Sequence, residues 1–356
     1  MTNSMTGQEL SRRVKDEGDI FNEEDFSGII CTETDISGGI FNNVCFDFCD
    51  FSKANLKETT FNKCSMKQAV FANANLNEAR FINCNLNSSN FKEINTESVK
   101  FIDSQMVQTN FTDTAIGNMS LFSTVNLTQA IFVKSHLDTA VFNDCIMDNI
   151  DFSQSMIYKT TFYKCQFSNI IMQNASITLS LFHGAALSET NFSKMDLSQL
   201  QFHESTLDKC NFSNAKLIQG GFMWAKLDNA IFDNATLEFA NFYGAALERS
   251  SFKNSLMKMA GMQSAKLAGS NFSNAILNHA QMEGVDASKA MFTGANLSYA
   301  DLSHADLTGA DLTNTNLTMT NLHNIKTDET IWAGSDRALA RGTCQKRLKA
   351  EKWGTK

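Results

Sequence analysis

The chain of 356 residues has no proline, where an average share of about 5% would supply roughly 18. Proline removes a backbone donor and is barred from paired strands, so its absence predicts a backbone that needs nearly every N–H. Tyrosine and tryptophan are scarce, 4 and 3 against 29 phenylalanines, which predicts an aromatic core with no hydroxyl to satisfy. No stretch approaches the roughly 18 consecutive apolar residues of a membrane-spanning helix, so no membrane partner is expected. Positive charge is short as well: the formal net charge is −8, which disfavours direct nucleic-acid binding. The opening MTNSMTGQELSRRVKDEGD has no apolar core of a signal peptide, and a cytoplasmic location is the expectation.

What is present is a period. Residues 295–317 read ANLSYADLSHADLTGADLTNTNL, with an apolar residue at every fifth position and a small residue two places before it. The same spacing runs back from Leu312 through Phe292, Phe272, Phe252 and Phe232 to Phe122. One extra residue interrupts it at 117–121, near Met119, and it resumes from Ile116 back to Phe41, weakening towards Phe26 and Phe21. Forwards it reaches Trp332, roughly 63 units in all. Six of the nine cysteines (Cys49, Cys64, Cys84, Cys145, Cys165, Cys210) occupy the small-residue slot, and none forms a CxxC pair. They read as small hydrophobes in a reducing compartment.

Side chains of a strand alternate with period two, and five is odd. Keeping one slot inward in every unit requires the chain to turn a corner once per repeat. Corners of one sense wind the backbone into a coil, and successive coils stack by strand-like hydrogen bonds. The centre alternates Phe51, Leu56, Phe61, Met66, Phe71, Leu76, a period of ten that requires an even number of sides.

The consensus A(N/D)LXX resembles that of the pentapeptide-repeat proteins over about nine-tenths of the chain. The resemblance implies an all-β fold, a right-handed quadrilateral β-helix with about 20 residues per coil. Phe51, Phe71, Phe91 and Phe111 would then form a core ladder opposite Phe41, Phe61, Phe81 and Phe101. Solenoid ends need covers. Residues 1–20 are expected to form an N-terminal helical cap, opened by the capping box Thr6-Gly-Gln-Glu9 and running to about Lys15, with Leu10 and Val14 on the first coil. The β-helix is expected over 21–332. Residues 333–356 abandon the period and carry seven Lys or Arg against two acids, a helical cap with Leu348 and Trp353 as docking groups or a basic tail for an acidic partner.

No catalytic, cofactor-binding or metal site is expected. The six histidines (His136, His183, His203, His279, His304, His323) fall at outward slots without metal-ligand spacing. A narrow coil filled with side chains leaves no pocket for a substrate, so the chain reads as a non-enzyme. Residues 20 apart stack on a four-sided coil, which lines up Tyr163, His183, His203, Met223 and Tyr243. Trp224 lies beside that column, and Ile218, Phe239 and Met259 lie across the preceding corner. Such a patch is either an interface, anchored by Trp224 and Tyr243, or rings packing along a ladder.

Two functions follow from resemblance. The ends, TGQELSRRVKDEGDIFNEEDFSG and NLHNIKTDETIWAGSDRALARGT with AEKW, are similar to those of pentapeptide-repeat proteins of bacterial type VI secretion loci. This implies a non-catalytic scaffold or adaptor whose partner is a secretion component or effector. Other members of the family mimic a DNA duplex and bind DNA gyrase, protecting it from quinolones, which is the alternative. Asp286, Asp301, Asp306 and Asp311 suit it, although only Asp286 and Asp306 share a column and outward lysines dilute the field. Homodimerisation through an end is compatible with either.

Overall fold

The computed structural model describes residues 5–353. The first four residues of the expected N-terminal cap and the last three of the expected tail lie outside the described residues. The chain divides into two compact units between Ala185 and Ala186, and both are parallel β-solenoids.

One repeat shows why the chain winds as it does. In residues 50–54 the Phe51 N–H donates to Val70 O of the next coil (2.7 Å), and the Lys53 N–H to Ala72 O (2.9 Å). The Asp50 N–H donates backwards to Ile29 O (3.1 Å), and the Ala54 N–H closes a turn on Phe51 O (3.0 Å). The remaining donor, Ser52 N–H, is taken by the Asp50 carboxylate (2.9 Å). All five donors are satisfied, which is the physical reason that proline is missing and that Asn or Asp so often precedes the central residue. The corner itself is made by the residue two after the centre, such as Lys53 (φ 57°) or Glu58 (φ 60°), which adopts the left-handed conformation.

In the first unit, three-residue strands from Ile20–Asn22 to Leu181–His183 form a nine-stranded parallel sheet. The register places Phe21 on Phe41, Phe41 on Phe61 and Phe61 on Phe81, partners one coil of 20 residues apart. A second parallel sheet of five strands lies on another side. Two phenylalanine ladders fill the interior. Phe41 and Phe61 stack at 5.2 Å and Phe71 and Phe91 at 4.7 Å, while rings of different ladders meet edge to face, as Phe71 does with Phe81 at 5.8 Å. Offset stacking along each ladder and edge contacts between ladders are the two favoured aromatic geometries. At the interrupted repeat the pairing steps by one extra residue, Lys100 on Leu121. The insertion is absorbed by two successive left-handed residues, Asn118 and Met119, and the Met119 side chain is left in solvent.

The second unit continues the repeat through single parallel bridges, for example Asn211 to Ile231 to Ser251 to Asn271. Its rings stack in the same way, Phe232 on Phe252 at 4.7 Å. The coil register extends past the last apolar centre, since Asn321 bridges Arg341.

The N-terminal helix, α1, covers Gly7–Arg12 and widens into a π-type turn over Arg13–Glu17 that ends at left-handed Gly18. Half of the expected capping box forms: Thr6 Oγ1 accepts from Glu9 N–H, but the Glu9 carboxylate pairs with Arg12 (2.7 Å). Leu10 and Val14 are buried, and Arg13 lies over the Phe21 ring at 4.6 Å. Gly7 packs so closely that a Cβ there would collide with the Ile30 carbonyl. The C-terminal helix, α2, spans Gln345–Trp353. No residue of it is buried and Trp353 is 86% exposed, so the expected docking through Trp353 is not what holds it.

Two substitutions test this packing. Phe81→Ala removes a ring from the middle of a ladder and should cost about 3–5 kcal/mol of unfolding free energy, read from a urea midpoint. Gly7→Ala should cost about 1–3 kcal/mol, because the clash is with backbone rather than with a flexible side chain; an unchanged midpoint would refute the close approach.

Candidate functional site

Large apolar side chains stand on several exposed corners, among them Phe48 and Leu179 in the first unit and Tyr299 and Met319 in the second, and the second unit gathers three more around one face. Corner positions in the left-handed conformation suit Gly and Asn, because a Cβ there crowds the backbone at about 1–2 kcal/mol per residue. Trp224 (φ 59°), Phe239 (φ 60°) and Met259 (φ 56°) all occupy such corners. They are 53%, 48% and 47% exposed, so little burial offsets the strain. Phe239 and Met259 stand on adjacent coils of one corner; Trp224 stands on the next corner along. Between the two corners the face carries glycine at 221 and 261 in place of a side chain.

Local contacts hold the aromatic end rigid. The Trp224 indole lies over Gly244, where any Cβ would collide with it, and meets Tyr243 edge to face at 5.1 Å. Gln201 and the His203 ring close over Gly221 in the same manner. Met223 and Ile218 are half-buried, and Ile218 shares its column with Glu238 and Lys258 rather than with Phe239 and Met259. Tyr163 and His183 belong to the first unit, where they stack in parallel at 5.2 Å, with the Lys164 ammonium over the Tyr163 ring at 5.1 Å. The structure therefore brings Trp224 to Tyr243, and Phe239 beside Met259.

The acidic columns are less available than the sequence suggests. Asp286, Asp301, Asp306 and Asp311 each accept the N–H two residues on, at 2.8 to 3.1 Å. Asp286 and Asp306 share a column, flanked on either side by Lys266 and Lys326. Lys326 pairs with Asp306 at 3.0 Å. The Thr308 hydroxyl and N–H hold the Asp306 carboxyl below the usual carboxylate range, with Lys326 adding to the effect.

A further cluster escaped sequence reasoning. His304 and His323 come from successive coils and meet Glu351 of α2. His323 was expected to point into solvent but is 1% exposed, because residues 343–351 fold back over it. Its Nδ1 accepts from the Cys344 N–H (3.1 Å), and its Nε2 lies 3.2 Å from Glu351 Oε2. His304 Nε2 lies 3.3 Å from Glu351 Oε1, and Arg347 donates to that same oxygen at 2.7 Å. Polar contacts of this kind, with Arg347 to Glu283 at 3.9 Å, are what dock α2. No sequence spacing could reveal a site whose third member arrives by a fold-back.

The pentapeptide repeat region family matches residues 34–111 and 135–212, and the pentapeptide repeats (8 copies) family matches 222–258, 262–294 and 290–326. Together these cover well over half of the sequence, and the chain belongs to the pentapeptide-repeat family. No curated protein matches it in sequence. Among solved structures it is similar to QnrB1, a plasmid-mediated fluoroquinolone resistance protein, with 17% identity over 55% of this chain and 80% of that one and a TM-score of 0.34. HetL, involved in heterocyst differentiation regulation in the cyanobacterium Nostoc sp. strain PCC 7120, is 18% identical over 70% of this chain and 90% of its own, with a TM-score of 0.21. Rfr23 from the cyanobacterium Cyanothece 51142 is 23% identical over 43% of this chain and 90% of its own, with a TM-score of 0.23.

All nine cysteines are free thiols; Cys344 is exposed, Cys45 is half-buried and the other seven are buried. Burial pushes the Cys31, Cys49 and Cys210 thiols up to about 12, so they carry almost no thiolate near neutrality. Native protein treated with Ellman's reagent at pH 8 should show one fast-reacting thiol that disappears in Cys344→Ser. Fast reaction of three or more thiols would contradict the packed interior.

Proposed function

We propose that this protein is a non-catalytic interaction scaffold that binds a protein partner through the corner patch of its second unit. The observation that carries the reading is the placement of Trp224, Phe239 and Met259, three large apolar side chains on strained, exposed corners. A residue kept where it costs stability and buries little is explained by what it contacts outside the chain. Trp224 and Tyr243 are the anchors, since large, locally fixed aromatics dominate binding energy at interfaces. The likeness of the chain ends to type VI secretion accessory proteins makes a component or effector of that apparatus the first partner to test.

The alternative, a duplex mimic acting on DNA gyrase, is favoured by the Asp286 and Asp306 column alone. A duplex carries one charge per about 1.7 Å, whereas here the carboxylates are committed to turn N–H groups and flanked by lysines. A gyrase supercoiling assay with and without quinolone separates the two readings, and strong inhibition or protection would favour the mimic.

The patch has its own test. Trp224→Asn and Phe239→Asn place a residue tolerant of the left-handed corner there, and each should leave stability within about 1 kcal/mol of the parent chain. The double variant should nevertheless lose capture of the spike or effector partner by at least about tenfold, as expected for two hot-spot side chains. Undiminished capture would reject the patch.

A further inference from the structure

We propose that His304, His323 and Glu351 form a binding site for a divalent transition metal of the zinc class, which staples the C-terminal helix to the coil. Among the described residues, these three place one ligand atom each within 4.8 Å of one another. Zinc bonds to imidazole nitrogen and carboxylate oxygen are about 2.0–2.2 Å, so neighbouring corners of its tetrahedron stand roughly 3.3–3.5 Å apart. The two histidine-to-carboxylate spacings here are 3.3 Å to Oε1 and 3.2 Å to Oε2, so the carboxylate presents one oxygen to each ring across the space an ion would fill. Two nitrogens and one carboxylate suit zinc-class ions and disfavour magnesium or calcium, which prefer all-oxygen shells.

The surroundings supply what such a site needs. Arg347 donates to Glu351 Oε1 and orients the carboxylate. Without metal, Nδ1 of His323 accepts from Cys344 N–H, so its Nε2 carries the hydrogen and donates to Glu351. Metal takes the place of the Nε2 hydrogens, which move to the Nδ1 atoms, so no proton is lost. The Asn324 side chain, 3.2 Å from His304 Nδ1, accepts that hydrogen through its oxygen once its amide turns over. Cys344 gives up its bond to His323, so binding shifts the 343–345 segment while fixing α2 at Glu351. The fourth position is left to water.

The experiment titrates the full chain with zinc chloride at pH 7.5 by calorimetry, comparing wild type with His304→Ala, Glu351→Gln and His279→Ala. Expected is one equivalent bound, weakened about 10–100-fold by either of the first two substitutions and unchanged by His279→Ala. Zinc should also slow tryptic cleavage at Lys346, Lys349 and Lys352 in wild type but not in Glu351→Gln. The altered side chains are partly exposed, and far-ultraviolet circular dichroism identifies any variant that fails to fold. Absence of binding up to about 100 μM zinc, or binding that survives both His304→Ala and Glu351→Gln, would overturn the proposal.

Discussion

The backbone N–H is the group around which this protein is organised. In a unit such as 50–54 all five donors are disposed of: two to the next coil, one to the previous coil, one to a turn, and one to an Asp side chain. Buried donors left unpaired are costly, so this closed accounting selects the residue types. It bars proline and favours Asx before the centre. The slot where the turn closes is most often small, as at Ala54 and Thr59, although Ile94 and Leu200 close the same turn. The polar members of that slot remain satisfied by donating to carbonyls, as Thr59 does to Ile36 O.

The hydrophobic core follows from that backbone rather than directing it. Once successive coils stand one strand spacing apart, like residues stack on like, and phenylalanine rings fall into the offset and edge-to-face geometries seen for Phe41, Phe61, Phe71 and Phe81. An interior so filled leaves the surface as the place for function. There the repeat still imposes itself, because every corner requires a left-handed residue. A surface of this fold can therefore be read by which corners obey the steric preference and which depart from it. Phe48, Leu179, Tyr299 and Met319 depart from it, and Trp224, Phe239 and Met259 do so around one face.

Much of the architecture was legible in the residues: the period, the alternation of Phe with Leu or Met, the interruption near Met119 and the half-formed Thr6 cap all stand in the chain as written. Residues of the surface patch could be named as well, since a fixed coil length converts sequence spacing into columns. What spacing could not give was how neighbouring columns meet. Trp224 lies on Gly244 and against Tyr243, a contact between neighbouring slots of successive coils that is set by local side-chain torsions rather than by count.

The sequence by itself determined the coil, because a five-residue hydrogen-bonding rule is local and every unit restates it. Only the tertiary structure decided what happens where the rule stops. Beyond Arg341 the coil register no longer ties one residue to another, so the return of Glu351 to His304 and His323 depends on a fold-back. It also decided that polar contacts, rather than Trp353, hold the last helix. Long-range pairings of that kind arise from the shape of the last coils and the path of the chain leaving them, and neither is written in any short stretch of residues.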